Sequence, residues 1–330
     1  MPDLNAYEIV KLTNRDEWNQ FVLEAEGGTV FSTAPWLESA ELSTGDPIVR
    51  YGCYKKGQLV AGISGLERRG GSQLATPPLL PHGGFLHRPV SSNRPFSRES
   101  ERGGETRALI TYLENHYQQI HLTMAPAIMD VREFVWAGWE IAPRYTYVND
   151  LTIRREKVWE RLERRTRNVI RKAESDGFKV EPTTDIDEIK HQYELVYSEQ
   201  KQQPPVHPMT VQKFAETAQK RGLIDTFRAV SSNGQTVSIV AFARSCDCLY
   251  AWISGADPAY RDTGATSLLY WKVLELTECP RFDFVGANIP SIAFFKRGFA
   301  GELVSYYAVE GCPNRLLKLT TAVRRIIKNR

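Results

Sequence analysis

The residues of this chain best suited to chemistry are cations set among apolar or helical neighbours. Lys296 stands in Phe294-Phe295-Lys296-Arg297-Gly298-Phe299. Aromatic neighbours lower the local dielectric, so a cation there grips an oxyanion or a phosphate more strongly than it would in water. The competing account is a surface lysine that snorkels at a helix end, near the negative pole of the helix dipole. Arg164, Arg167 and Arg171 fall three and four apart on one predicted helix face, a spacing that matches two phosphates. Glu160 and Glu163 lie within pairing distance of the same face, so a self-satisfied salt-bridge surface serves equally well. The histidines His82, His87, His116, His121, His191 and His207 show no metal-ligand spacing, and no Ser-His-Asp or Cys-His arrangement is evident. A metal enzyme or a covalent hydrolase is therefore disfavoured.

The elements that must position these residues belong to an ordinary globular chain. Its 330 residues, 42% hydrophobic and 25% charged, suffice for about two domains and exclude collagen-like, disordered and integral membrane classes. No apolar run reaches the length of a spanning helix, and the start Met1-Pro2-Asp3-Leu4 lacks the order of a signal peptide. The expectation is a cytoplasmic protein, with peripheral contact at the inner face of the membrane left open. Five scattered cysteines suggest neither a disulfide framework nor a zinc site. The net charge is only +3, yet residues 154–172 and 313–330 each sum to +6, leaving the remainder acidic. Such polarity suits phosphates, anionic lipid or nucleic acid, or else two solvated helix faces.

Read for repeats, the chain shows one architecture twice. Strand, turn and strand recur as Tyr51–Tyr54 with Leu59–Leu66, and as Thr226–Val230 with Thr236–Ala243. A glycine opening a helix recurs as Gly104 before residues 106–117 and Gly264 before residues 266–278, each helix followed by a strand. Phe134-Val135-Trp136-Ala137-Gly138-Trp139 matches Phe294–Phe299 at the same offset of 160, and a Tyr-bearing strand follows each. In both copies a left-handed glycine is expected to end the helix. One helix is predicted over residues 156–175 and a long irregular segment over residues 67–104, a length that is commonly functional or mobile. The expected organisation is a first domain over 1–150, a second, catalytic domain over 151–312, and a basic amphipathic helix over 313–330. That helix suits either an anionic lipid surface or a cap on the core.

Several stretches resemble the FemABX-type family, tandem-domain transferases of the acetyltransferase-like (GNAT-like) fold. Phe31-Ser32-Thr33-Ala34-Pro35-Trp36-Leu37 is similar to its first-domain opening, and Pro77-Pro78-Leu79-Leu80-Pro81-His82-Gly83-Gly84 to its proline-glycine segment. Arg167-Asn168-Val169-Ile170-Arg171-Lys172-Ala173 with Gly177 is similar to its most recognisable helix, and Phe282–Gly286 with Phe294–Phe299 to its closing element. The likeness runs from about residue 30 to about residue 310. It implies an α/β (α+β) chain of two GNAT-like domains, each a mixed twisted sheet flanked by helices. It also implies transfer of an aminoacyl or acyl group to an amine acceptor, the family's acceptors being cell-envelope precursors of the peptidoglycan type. The donor is aminoacyl-tRNA or acyl-CoA, used as a co-substrate with no metal or prosthetic group. By the same resemblance, Lys296 stabilises the transition state.

Aminolysis of an ester or thioester needs a deprotonated amine and a stabilised tetrahedral oxyanion. Acetyltransferase-like folds place this step between two splayed strands, here residues 248–255 and 281–288. Tyr250, Trp252 and Ser254 alternate, share a face and line the acceptor cleft, unless the two aromatics are core. Arg261 to Thr266 partly match the pyrophosphate loop of CoA-using acetyltransferases, with Arg261 and Gly264 as cofactor-binding candidates. Thr266 is expected to crowd the phosphate. Two alternatives therefore stand: a CoA-dependent N-acyltransferase acting on a polysaccharide or small amine, and a non-catalytic protein binding a membrane or RNA surface.

Overall fold

The computed structural model describes residues 6–199 and 203–313. They divide into two compact units: residues 6–41, 45–143 and 306–313 form the first, and the described parts of 42–44 and 144–305 the second. The basic helix expected over 313–330 lies, but for its first residue, outside the described residues.

In the first unit β1 (Tyr7–Lys11), α1 (Arg15–Glu24) and α2 (Ala34–Thr44) lead into the hairpin of β2 (Ile48–Lys55) and β3 (Gln58–Arg68). Its two-residue turn, Lys56-Gly57, has both residues at positive φ, the geometry whose twist suits a tight hairpin. Then follow β4 (Gln73–Ala75), β5 (Phe85–His87), α3 (Pro95–His116), β6 (Gln119–Thr123), α4 (Arg132–Trp136) and β7 (Glu140–Asp150). The sheet runs β1-β2-β3-β4-β6, with β5 beside β3. Leu109, Ile110 and Leu113 of α3 pack on Ile63, Leu74 and Ile120, the apolar stripe that the spacing of α3 dictates. The segment over 67–104 is more regular than expected. Strands of three residues offer no alternation to read, and the first turns of α3 are polar and lack a side-chain cap.

In the second unit the chain forms α5 (Arg155–Arg161), α6 (Arg164–Ser175), β8 (Lys179–Pro182), α7 (Ile186–Glu199), α8 (Pro208–Lys220), β9 (Ile224–Val230) and β10 (Thr236–Arg244). It continues with β11 (Leu249–Ala256), α9 (Ala265–Leu276), β12 (Arg281–Asp283), α10 (Pro290–Arg297) and β13 (Glu302–Gly311). The end of β7 opens a sheet ordered β7-β12-β11-β10-β9-β8, whereas residues 308–311 of β13 belong to the first unit and pair with β6 there. The single helix expected over 156–175 is two helices. Leu162 and Glu163 are extended, and the Glu163 N–H donates to the Gly298 carbonyl at 2.9 Å, a tertiary bond that no Pro or Gly announces. Ile170, Ala173, Leu268, Leu269, Phe242, Phe282, Phe284 and Phe299 share one core.

Both units therefore repeat one plan: antiparallel strands beside a parallel pair, β4 with β6 and β11 with β12, joined by a crossover helix, α3 or α9. The short helices that follow carry the counterparts Trp136 and Lys296 in their last turns. The left-handed glycine expected after each helix holds in the first unit, where Gly138 has φ 80°, but not in the second. Gly298 is right-handed there, and Ala300 takes φ 58°. Gly298 is instead a close approach, because a Cβ on it would sit 2.3 Å from Thr166 Oγ1. Among the described residues no helix is long and apolar enough to cross a membrane.

Candidate active site in the second unit

The site follows from where two strands part. β11 and β12 pair only at Leu249↔Phe282 and Tyr250↔Asp283. Beyond Asp283 the chain leaves to follow β7: the Phe284 N–H donates to Tyr147 O at 3.0 Å and the Ala287 N–H to Tyr145 O at 2.6 Å. β11 stays with β10 as far as Ala256. One wall of the resulting notch is thus the later half of β11, and the other is the stretch from Phe284 to Asn288. These are the two splayed strands expected from the sequence.

Lys296 meets the second wall. Only 8% exposed, it extends Nζ to the carbonyls of Val285 and Gly286, each at 2.6 Å. Those carbonyls converge because Val285 and Gly286 both adopt positive φ, 51° and 76°. An ammonium carries three N–H donors, so two are committed and one remains. Burial pushes the Lys296 pKa down to about 8, and the Asp283 carboxylate partly offsets that fall. The lysine is therefore a buried, oriented cation rather than a snorkelling one, and it still carries its charge near neutral pH.

Tyr250, Trp252 and Ser254 do not all share one face. β11 bulges, with Ala241 opposite Ile253 and Phe242 opposite Ala251, so Trp252 is an extra residue in the strand. Trp252 lies against Phe214 of α8, with ring centroids 5.0 Å apart, and a Cβ on Gly255 would meet Gln192 of α7. Ser254 instead reaches the hydroxyl of Tyr270 on α9, across the sheet from Trp252. Tyr250 and Trp252 are 5% and 6% exposed and belong to the core, whereas Ser254 is exposed at the notch. A single bulge reversed the alternation that the sequence implied. Tyr270 is a contact that sequence reasoning missed: its ring is buried in the core, as its helix position reads, and its hydroxyl meets Ser254.

The arginines of α6 diverge. Arg164 lines an open groove of about 510 Å³ together with Glu163, Arg165, Asn168, Val169 and Lys172. Arg167 and Arg171 turn away from it: Arg167 donates to Glu160 O at 3.0 Å, and the Arg171 guanidinium sits 5.3 Å over the Trp159 ring. The cationic groove is thus built on Arg164, Arg165 and Lys172.

The loop before α9 is compact. Residues 258–263 form a 3-10 helix that carries Arg261 exposed at the surface, and Gly264 follows at φ 83° as the N-cap of α9. A Cβ on Gly264 would lie 2.4 Å from the Val169 carbonyl oxygen, so α6 packs directly on this N-terminus. Thr266, expected to crowd a phosphate there, has its side chain engaged within the protein. Its hydroxyl turns inward and donates to Ser238 Oγ at 3.1 Å. Among the described residues no group of three His, Cys, Asp or Glu could hold a metal ion.

Comparison with known proteins agrees with this geometry. Residues 160–297, from α5 to the end of α10, match the acetyltransferase (GNAT) domain family. No curated protein matches the chain. Among solved structures it resembles FemX, at 12% identity and a TM-score of 0.65, over 91% of this chain and 96% of that one. It also resembles a tandem GNAT protein from the clavulanic acid biosynthesis pathway, at 12% identity and a TM-score of 0.53, over 93% and 99%. A third likeness is to L-PGS from Bacillus licheniformis, at 12% identity and a TM-score of 0.52, over 97% and 99%. The chain has the tandem GNAT-like α/β fold that the FemABX resemblance implied.

Proposed function

We propose that the second unit transfers an aminoacyl or acyl group to an amine, with the reaction in the notch between β11 and β12. The observation that carries this reading is Lys296: a buried ammonium held by two carbonyls on the notch wall, with one N–H left to donate. The acceptor nitrogen, free of its proton, attacks the donor carbonyl carbon and forms the C–N bond. The carbonyl electron pair moves onto oxygen, and the Lys296 N–H receives that charge in a low-dielectric setting, where a preorganised donor is worth most. Collapse breaks the C–O or C–S bond, and the proton shed by nitrogen goes to the departing oxygen or sulfur. Ser254, at the notch beside the Tyr270 hydroxyl, contacts the acceptor. The step balances without a metal or prosthetic group.

The favoured donor is an ester-linked aminoacyl group, as on aminoacyl-tRNA, and the acceptor an amine of a cell-envelope precursor. Support comes from the N-terminus of α9. A CoA donor needs its pyrophosphate close to that loop, and the Val169 carbonyl oxygen lies against Gly264, bringing negative charge and bulk where a phosphate would have to approach. Arg164, Arg165 and Lys172 in the groove of α6 supply the cationic surface for the donor's phosphates.

The second reading, a CoA-dependent N-acyltransferase, is favoured by the GNAT-family match over 160–297. Calorimetry with acetyl-CoA, beside transfer assays with labelled aminoacyl-tRNA and an amine acceptor, separates the two. The first reading predicts no CoA binding and formation of labelled amide. CoA binding with acetyl transfer would replace it with the second, and transfer from neither donor would remove both.

A further inference from the structure

A chain of contacts leads from β7 to the lysine. The Asp283 side chain is 4% exposed, and its Oδ1 accepts both the Thr146 hydroxyl at 2.5 Å and the Val285 N–H at 2.7 Å. Val285 is β-branched and sits at φ 51°, a conformation costly for such a residue and kept only where its surroundings enforce it. The bond from its N–H to Asp283 is one enforcing contact. The same turn aims the Val285 and Gly286 carbonyls at Lys296 Nζ. Thr146, by orienting Asp283, supports the turn at one remove.

We propose that Asp283 is the positioning residue of the site: it locks the Val285-Gly286 turn that cradles Lys296 and supplies the buried negative charge that keeps Lys296 an ammonium. Its catalytic consequence rests on the transfer reading above; its effect on the lysine does not. The charged groups that face Asp283 are Lys296 from α10 and Arg281 from its own strand. Cys248 and Tyr250 of β11 also feel it, but burial pushes both of their pKa values up, so they stay neutral through the working range. Burial raises the Asp283 pKa, while the Thr146 and Val285 bonds and the two cations oppose that rise.

The test is the titration of Lys296 in the full chain, followed by NMR of lysine labelled at the ε-carbon and assigned by the signal lost in Lys296→Met. The wild type is expected to titrate at about 8. Asp283→Asn is expected to lower that midpoint by about one pH unit or more and to move the high-pH limb of turnover equally. Thr146→Val, the milder variant should Asp283→Asn fail to fold, shifts both in the same direction by less. Asp283→Glu restores the charge, and with it part of the midpoint. An unchanged Lys296 midpoint in a folded Asp283→Asn or Thr146→Val chain would overturn the proposal. A wild type inactive with every donor would defeat the transfer reading while leaving the titration readable.

Discussion

The two units share a plan and differ at the parallel pair. In the first unit the seam between β4 and β6 continues past the strands. The Thr76 N–H donates to His121 O at 2.8 Å, the Thr123 N–H to Thr76 Oγ1 at 2.9 Å, and the Gly83 N–H to Thr123 O at 2.9 Å. The proline-glycine segment over 77–84 thus fills the place that stands open between β11 and β12. His82 within it is fully buried between the rings of Phe31 and Tyr306, and that burial drives its pKa down to about 3. At the end of the following helix the first unit carries Trp136, 66% exposed, where the second carries the buried Lys296. One scaffold was closed with its own backbone; the other kept a notch and a cation. A duplicated fold therefore predicts where a site can be, and the filling of the seam decides whether it is one.

Lys296→Met should have the largest effect. Removal of one oxyanion donor costs about 100- to 1,000-fold in turnover, and stability measured by denaturant should fall by about 3 kcal/mol, because Asp283 and the Val285 and Gly286 carbonyls lose their buried partner. Exchange of the counterpart, Trp136→Lys, should confer nothing on the first unit. Next comes pH: the active form is the ammonium, so the ratio of wild-type to Lys296→Met turnover, in which deprotonation of the acceptor amine cancels, should fall about tenfold per unit as pH rises above about 8. A rise of that ratio across the range would make neutral Lys296 a base instead.

Backbone closure separates the units further. Gly84→Ala places a Cβ 2.5 Å from Ser64 O at φ 85°, and Gly264→Ala places one 2.4 Å from Val169 O at φ 83°. Each should cost about 2–3 kcal/mol in thermal or denaturant unfolding. Turnover per folded molecule should fall only for Gly264→Ala.

His82 gives a smaller, pH-dependent effect. Its folded pKa of about 3 lies below the ordinary 6.5, so the unfolded chain takes up the proton first as pH falls. Its contribution to stability is then lost between pH 6.5 and 3. His82→Phe should flatten the acid side of a Tm-against-pH curve, and an unchanged slope would show that His82 is protonated in place. Trp136→Ala, at an exposed position, should change stability by no more than about 0.5 kcal/mol.

Much of this was legible in the sequence. The offset of 160 tied Gly104 to Gly264 and Trp136 to Lys296, because helix-opening glycines and helix-ending aromatics are local signals. The split between α5 and α6 was not, since it is held by a bond from Glu163 to Gly298 across 135 positions. Nor was the reversal of Ser254, which depends on one extra residue opposite Ala241 and Phe242. Asp283 left a trace, a carboxylate between Phe282 and Phe284, but its partner Thr146 lies 137 residues away. Alternation and periodicity report neighbours along the chain, whereas the site is built from contacts across it.

The most direct test of the account is single-turnover transfer from labelled aminoacyl-tRNA to an amine acceptor, wild type beside Lys296→Met, with folding checked on the same samples. Amide formation in the wild type, slowed at least 100-fold in a folded Lys296→Met chain, is the predicted result. Equal rates in the two chains would contradict it.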